Sequence, residues 1–179
     1  MGISRFAENY FVELRALSRE SERSVIQDWI KKDDKAKGDP AEWVDAIAKE
    51  TQVWARHIQS YAKRAAIHLK ERNGTMTAEG LKITLKEGRS RRLAFCKEQA
   101  HGFLEEERQS IAKAFSDVSL EESMTRSAIV SCLSTDFGTD KTHSLFNEAL
   151  EKGLLDGHEG RFSIPIPSMH TWLIDRYAR

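Results

Sequence analysis

The stretch Gly153-Leu154-Leu155-Asp156-Gly157-His158-Glu159-Gly160-Arg161-Phe162-Ser163-Ile164-Pro165-Ile166-Pro167-Ser168 decides the fold. Lys152-Gly153 closes a helix. Leu154-Leu155-Asp156 reads as a short strand, Gly157-His158-Glu159-Gly160 as a tight turn, and Arg161-Phe162-Ser163-Ile164 as the returning strand. The two glycines allow the positive φ angles that such a turn requires. Pro165 and Pro167 end the strand, and Ser168 is placed to cap a last helix through Tyr177.

Three helices precede this hairpin. Phe103, Leu104, Ile111, Ala114 and Phe115 set the inward side of the first. Thr125–Leu133 is the second, with Ile129, Val130 and Leu133 inward, and Ser134–Gly138 is a turn. Thr139–Lys152 is the third, with Leu145, Phe146, Ala149 and Leu150 inward. Three helices followed by a two-stranded wing is the order of a winged helix-turn-helix. Residues 101–179 are therefore expected to form that domain.

Residues 1–100 have another rhythm. Asn9–Leu17 fits a short strand or a helix equally. Ser18 is an N-cap signal before Val25, Ile26, Trp29 and Ile30, and KKDDKAKGD after them reads as a solvated loop. Asp39-Pro40-Ala41-Glu42 is a strong helix start, in which Asp39 caps, Pro40 suits the first turn and Glu42 reaches back. Trp43, Ile47 and Trp54 then share a face. A longer helix over Trp54–Arg72 turns Ile58, Tyr61, Ala62, Ala65 and Leu69 inward, and Asn73-Gly74 stops it in left-handed backbone. Thr77 caps a short helix with Leu81, Ile83 and Leu85. Gly88 is expected to interrupt, and a further helix begins at GRSRRLAFCKEQ. The fold class is thus mostly α: a bundle of about five helices over 1–100, followed by a winged helix-turn-helix with a small two-stranded β wing.

Composition bounds the function. Apolar residues make up 40% of the 179, enough for a core of ordinary size. Lys+Arg and Asp+Glu both total 28, which argues against disorder driven by self-repulsion. The charge is uneven: residues 1–100 hold 20 Lys/Arg against 15 Asp/Glu, and residues 101–179 hold 8 against 13. Cys96 and Cys132 have no metal or redox spacing and read as two buried thiols. No apolar run suits a bilayer, and the N-terminus lacks a secretory core. Phe6 stands where myristoylation needs Ser or Thr. The expected setting is the cytoplasm.

Leu154-Leu155 followed by Gly160–Ser168 resembles the ending of bacterial AAA-type (STAND/Orc-like) ATP-binding proteins, in which a wing strand runs into a Pro-x-Pro-Ser step and a final helix. Leu17-Ser18, Asp28-Trp29, Trp43, Ile47-Ala48, Glu50-Thr51, His57-Ile58, Tyr61, Gly80-Leu81 and Gly88-Arg89 resemble the helical lid of the same ATPases. The resemblance implies that the nucleotide-binding core would lie before Met1. In keeping with this, the sequence contains no GxxxxGK[ST] run to cradle phosphates. It departs from the family at Val53-Trp54-Ala55-Arg56, where a Gly and a Pro are implied, so no phosphate-sensing role is carried over to Arg56.

Candidate contacts fall in two groups. Arg89, Arg91 and Arg92, with Lys82, Lys86 and Lys97, form the densest basic cluster. Arginine forks suit phosphates and acidic protein faces alike, and a solvated helix start is the plain alternative. The third wing-domain helix offers Thr139, Lys141, Thr142, His143, Ser144 and Asn147 on its exposed side, and Arg161 lies on the wing. In a helix-turn-helix this helix enters the major groove. Asp140, Glu148 and Glu151 on the same helix oppose that use, because DNA affinity rests on phosphate neutralisation. His57 and His68, 11 residues apart, are too distant to share a metal. Glu105-Glu106-Glu107 reads as a solvated face, and the four tryptophans read as core. No catalytic, cofactor or metal residue is assigned. The expected function is a non-catalytic accessory or regulatory module of AAA-ATPase descent. It would dock on a protein partner in preference to DNA, without a membrane role and with a homodimer open. A protein-binding inhibitor of phage or mobile-element type and a sequence-specific DNA-binding regulator are the alternatives.

Overall fold

The computed structural model describes residues 17–31, 36–37 and 39–178. Apart from Leu17, the ambiguous 9–17 segment lies outside them, as does most of the loop after Lys31. The described chain is mostly helical with one small antiparallel sheet, and it divides into two compact units, residues 1–85 and 86–179.

In the first unit, α1 (Arg19–Lys31) packs on α2 (Ala41–Thr51) and α3 (Ala55–Glu71). Ser18 Oγ accepts from Ser21 N at 3.1 Å, and Asp39 Oδ1 accepts from Ala41 N at 2.9 Å, as start signals should. Ile26, Ile30, Trp43, Val44, Ile47, Ile58, Tyr61, Ala65 and Leu69 form the core. Asn73 and Gly74 have φ of 52° and 80°, and Gly74 N donates to Leu69 O at 2.7 Å, closing α3 in left-handed backbone. Trp54 is not on the inward face of α2. It is the extended N-cap of α3 and half-buried. Trp29 and Trp172 are half-buried too, leaving Trp43 as the buried tryptophan among the four.

The interruption expected at Gly88 does not occur. One helix, α4 (Ala78–Ala100), runs through it, so the first hundred residues contribute four helices among the described residues. A lone helical glycine costs only about 1 kcal/mol, so a single breaker does not end the helix. Thr77 Oγ1 accepts from Gly80 N at 3.0 Å and starts the helix. Gly80 lies close against the His68 imidazole, which a Cβ there would push aside. Ile83 is 37% exposed and not inward.

The second unit adds α5 (Glu105–Ala114), β1 (Met124–Thr125), α6 (Arg126–Leu133), α7 (Thr139–Glu151), β2 (Asp156–His158), β3 (Arg161–Ser163) and α8 (Pro167–Tyr177). α5 packs on α6 and α8, and α6 on α7. Phe103, Ile111, Phe115, Ile129, Leu133, Leu145, Phe146, Leu154, Leu155, Met169 and Leu173 are buried. Leu104 is 59% exposed, because it is the N-cap of α5 and its backbone N donates back to Glu107 Oε2 at 2.8 Å.

The sheet has three strands in the order β1-β3-β2, all antiparallel, where the sequence suggested two. Met124 pairs with Phe162 and Thr125 with Arg161. The hairpin turn is tighter than expected. Gly157 and His158 belong to β2, and only Glu159 and Gly160 turn, with φ of 51° and 76°. That is the mirror-image turn whose twist suits a hairpin. Leu154 and Leu155 are buried ahead of β2 and lie outside it. Ser168 does not cap the last helix. α8 starts two residues earlier than that cap would set, with Pro167 at its first position and Ile166 as N-cap, and Ser168 is buried.

Candidate functional site

The basic cluster resolves according to helical register. Lys86, Arg89, Leu93 and Lys97, spaced 3, 4 and 4 apart, share one exposed stripe of α4 within the second unit. Leu93 sits among the cations at 41% exposure. Arg91 is exposed off this stripe, and Arg92 is half-buried on the side of Phe95 and Cys96. Lys82 falls in the first unit, its exposed side chain 4.0 Å from that of Glu79.

The exposed side of α7 is divided between a few polar groups and more acids than cations. Thr142, Leu145, Phe146 and Ala149 face inward. Thr142 therefore leaves the exposed set, and its Oγ1 donates to Phe137 O at 3.4 Å. Opposite them, Asp140, Ser144, Asn147 and Glu151 form an exposed stripe at spacings of 4, 3 and 4, with Glu148 half-buried at its edge. Thr139 and His143 are exposed beside it.

The cations of this region are engaged within the chain. Lys141 Nζ lies 2.9 Å from Glu106 Oε1 and 3.6 Å from Glu107 Oε1, and 4.3 Å from the centre of the Phe137 ring. The hydrogen bond to Glu106 holds its ammonium above the ordinary lysine range. Arg161 donates from Nε to Ser123 Oγ at 3.1 Å and from Nη2 to the Ser123 carbonyl. Arg126 Nη2 donates to Asn147 Oδ1 at 3.3 Å while its guanidinium lies 5.0 Å from the Phe146 ring centre. Lys152 bonds Glu148 and the Gly102 carbonyl. Thr125, Arg126, Ser127, Val130, Ser131, His143 and Gly160 line a shallow cleft there. Arg126, Ser123 and the Glu106-Glu107 pair were not legible as participants, since each meets its partner across 21 to 38 residues of chain.

Two side chains give sharp local probes. Cys132 is exposed, not buried, while Cys96 is 1% exposed and burial pushes its thiol pKa up. In the native protein a thiol reagent should therefore titrate one group quickly, and the second only on unfolding. Replacing Cys132 with Ser should remove the fast phase. His170 is buried with Nε2 3.0 Å from Val118 O, and burial holds its imidazole below the ordinary histidine range. The unfolded chain then binds the proton more readily than the folded one. The stabilising contribution is present above the unfolded value near 6.5 and is lost as pH falls through the lower folded value. Urea midpoints at pH 7.5 and 5.5 should show the wild type losing more on acidification than His170→Gln, which keeps a donor for Val118.

Among the described residues no group of three or more His, Cys, Asp or Glu side chains is arranged to hold a metal, and no helix is long and apolar enough to cross a membrane. No family model, curated protein or solved structure matches this chain.

Proposed function

We propose that the chain is a non-catalytic regulatory or accessory module whose second unit is a winged helix used to dock on protein, with the exposed face of α7 as the docking surface. The element order α5-β1-α6-α7-β2-β3, with β3 between β1 and β2, supports the winged helix. The likeness of Leu154-Leu155 and Gly160–Ser168 to the winged-helix ending of AAA-type ATPases, and of the motifs between Leu17 and Arg89 to their helical lid, supports an accessory role beside such an engine. A cytoplasmic setting belongs to the same proposal and fits two free cysteines.

The observation that carries the preference for protein is the charge on α7. Its outward stripe begins and ends on an acid, Asp140 and Glu151, while Lys141, Arg126 and Arg161 are satisfied by groups of the same chain. A major-groove helix would need those cations for phosphates. A partner with a basic surface suits the stripe better.

The test is anisotropy of a labelled random-sequence duplex titrated with the full chain at low salt. The expected result is no binding tighter than about 10⁻⁴ M, the weak end of non-specific affinity. The variant Asp140→Lys/Glu151→Lys should gain salt-sensitive binding. Wild-type affinity in the micromolar range that collapses with salt would support the DNA-binding reading instead.

A further inference from the structure

The second unit carries two exposed helix faces of opposite charge, and their spacing coincides. On α4 the cations Lys86, Arg89 and Lys97 stand at relative positions 0, 3 and 11, with exposed Leu93 at 7. Reading α7 backwards from its end, the acids Glu151, Glu148 and Asp140 stand at the same relative positions 0, 3 and 11, with Ser144 at 7; Glu148 is half-buried at the edge of the face and is also held by Lys152, so Glu151 and Asp140 are its open ends. Two helices laid antiparallel would thus bring Lys86 to Glu151, Arg89 to Glu148 and Lys97 to Asp140 at once. Leu93 would then cover the small Ser144. Each stripe spans about 16 Å, eleven residues at about 1.5 Å rise, so the match holds over the whole length of both.

We infer that the occupant of the acidic α7 face is a second copy of this chain, presenting its basic α4 stripe. The proposal rests on the reading of α7 as a protein-docking face and names its partner. The charges of the chain as a whole fit it: the sequence is neutral, yet its first hundred residues carry the excess of cations and the rest the excess of acids. Opposite patches on one chain make the contact heterologous, residue i on one copy meeting residue j on the other. Three solvent-edge ion pairs and one leucine make a weak, salt-sensitive contact, and weak self-association of the accessory module is what a concentration-driven regulator uses.

Sedimentation equilibrium of the full chain tests this with a charge swap. At about 0.5 mM protein and about 50 mM salt the wild type should self-associate, and about 0.5 M salt, where screening shortens the reach of charges to a few ångström, should return it to monomer. Lys86→Glu/Arg89→Glu and Glu148→Lys/Glu151→Lys should each lower the association constant at least about tenfold, since like charges then face each other. Mixing those two variants, or combining all four substitutions in one chain, should restore association. All six positions of the ion pairs lie on helix surfaces, so circular dichroism should show each variant folded. A wild type that stays monomeric at low salt overturns the proposal, as does association that neither reversal weakens or that the swap fails to restore. Monomer without DNA affinity would leave protein docking standing with another partner, whereas tight DNA binding would remove the docking reading itself.

Discussion

Phe146→Ala should cost the second unit about 3–5 kcal/mol, the range for emptying a buried phenylalanine site. Phe146 is 1% exposed on the inward face of α7 and holds three elements together. Its ring meets Phe162 of β3 edge to face, with centres 5.0 Å apart at 79°. The Arg126 guanidinium at the start of α6 lies 5.0 Å from the same ring. Truncation removes the ring contact and leaves Arg126 with Asn147 alone, so the loss exceeds that of an average core position. Trp172 is the tryptophan of this unit, edge-on to Tyr177 with centres 5.6 Å apart, and reports its unfolding in urea. Its transition should move to clearly lower denaturant while the far-ultraviolet helix signal of the first unit persists. Phe146→Leu should recover more than half of the loss.

Glu22→Ala should destabilise the first unit by about 3 kcal/mol, because the Val53 N–H loses its side-chain acceptor and the Thr51 hydroxyl is left with only the Ala48 carbonyl at 3.4 Å, with a buried unsatisfied donor costing about 1–3 kcal/mol. Glu22 is fully buried on α1. Its carboxylate accepts from Thr51 Oγ1 and from Val53 N, the latter at 2.8 Å, and pairs with Arg19 at 3.1 Å. These contacts hold the turn between α2 and α3, where Gln52 and Val53 have φ of 51° and 58°. Left-handed backbone is costly for a β-branched residue, and the turn persists because the carboxylate and the Leu17 N to Val53 O bond at 3.0 Å over-determine it. Glu22→Gln keeps one oxygen as acceptor for both donors and gives up the charge and the hydrogen bond toward Arg19, whose guanidinium is largely solvated and can turn to water, so its cost should be near 1 kcal/mol. Thermal melts of the two variants side by side should show that order.

The contrast between these sites and the sequence is instructive. The inward residues of α3 were legible, because Ile58, Tyr61, Ala65 and Leu69 keep a helical period and Asn73-Gly74 marks the stop. Glu22 was not, since a carboxylate amid Ser, Glu and Arg reads as solvent-facing until Thr51 and Val53 are brought to it from 29 and 31 residues away. β1 escaped for a similar reason: two residues have no period, and only pairing with Phe162 and Arg161 makes them a strand. Gly88 misled because a breaker signal is local, whereas the run of buried residues from Leu81 to Ala100 is not. At the candidate site the exposed positions of α7 were mostly readable from register. Which charges remain for a partner was not, because Lys141 and Arg161 are answered by Glu106 and Ser123 from far along the chain. The engagement of these cations, more than the number of basic residues, is what favours the proposed protein-docking use of α7 over groove reading.

The most direct test is a photo-crosslinking amino acid at position 144, the middle of the α7 stripe, activated in the native cell. The expected adducts are protein–protein conjugates whose mobility nuclease leaves unchanged. Adducts that nuclease trims would contradict the protein-docking reading.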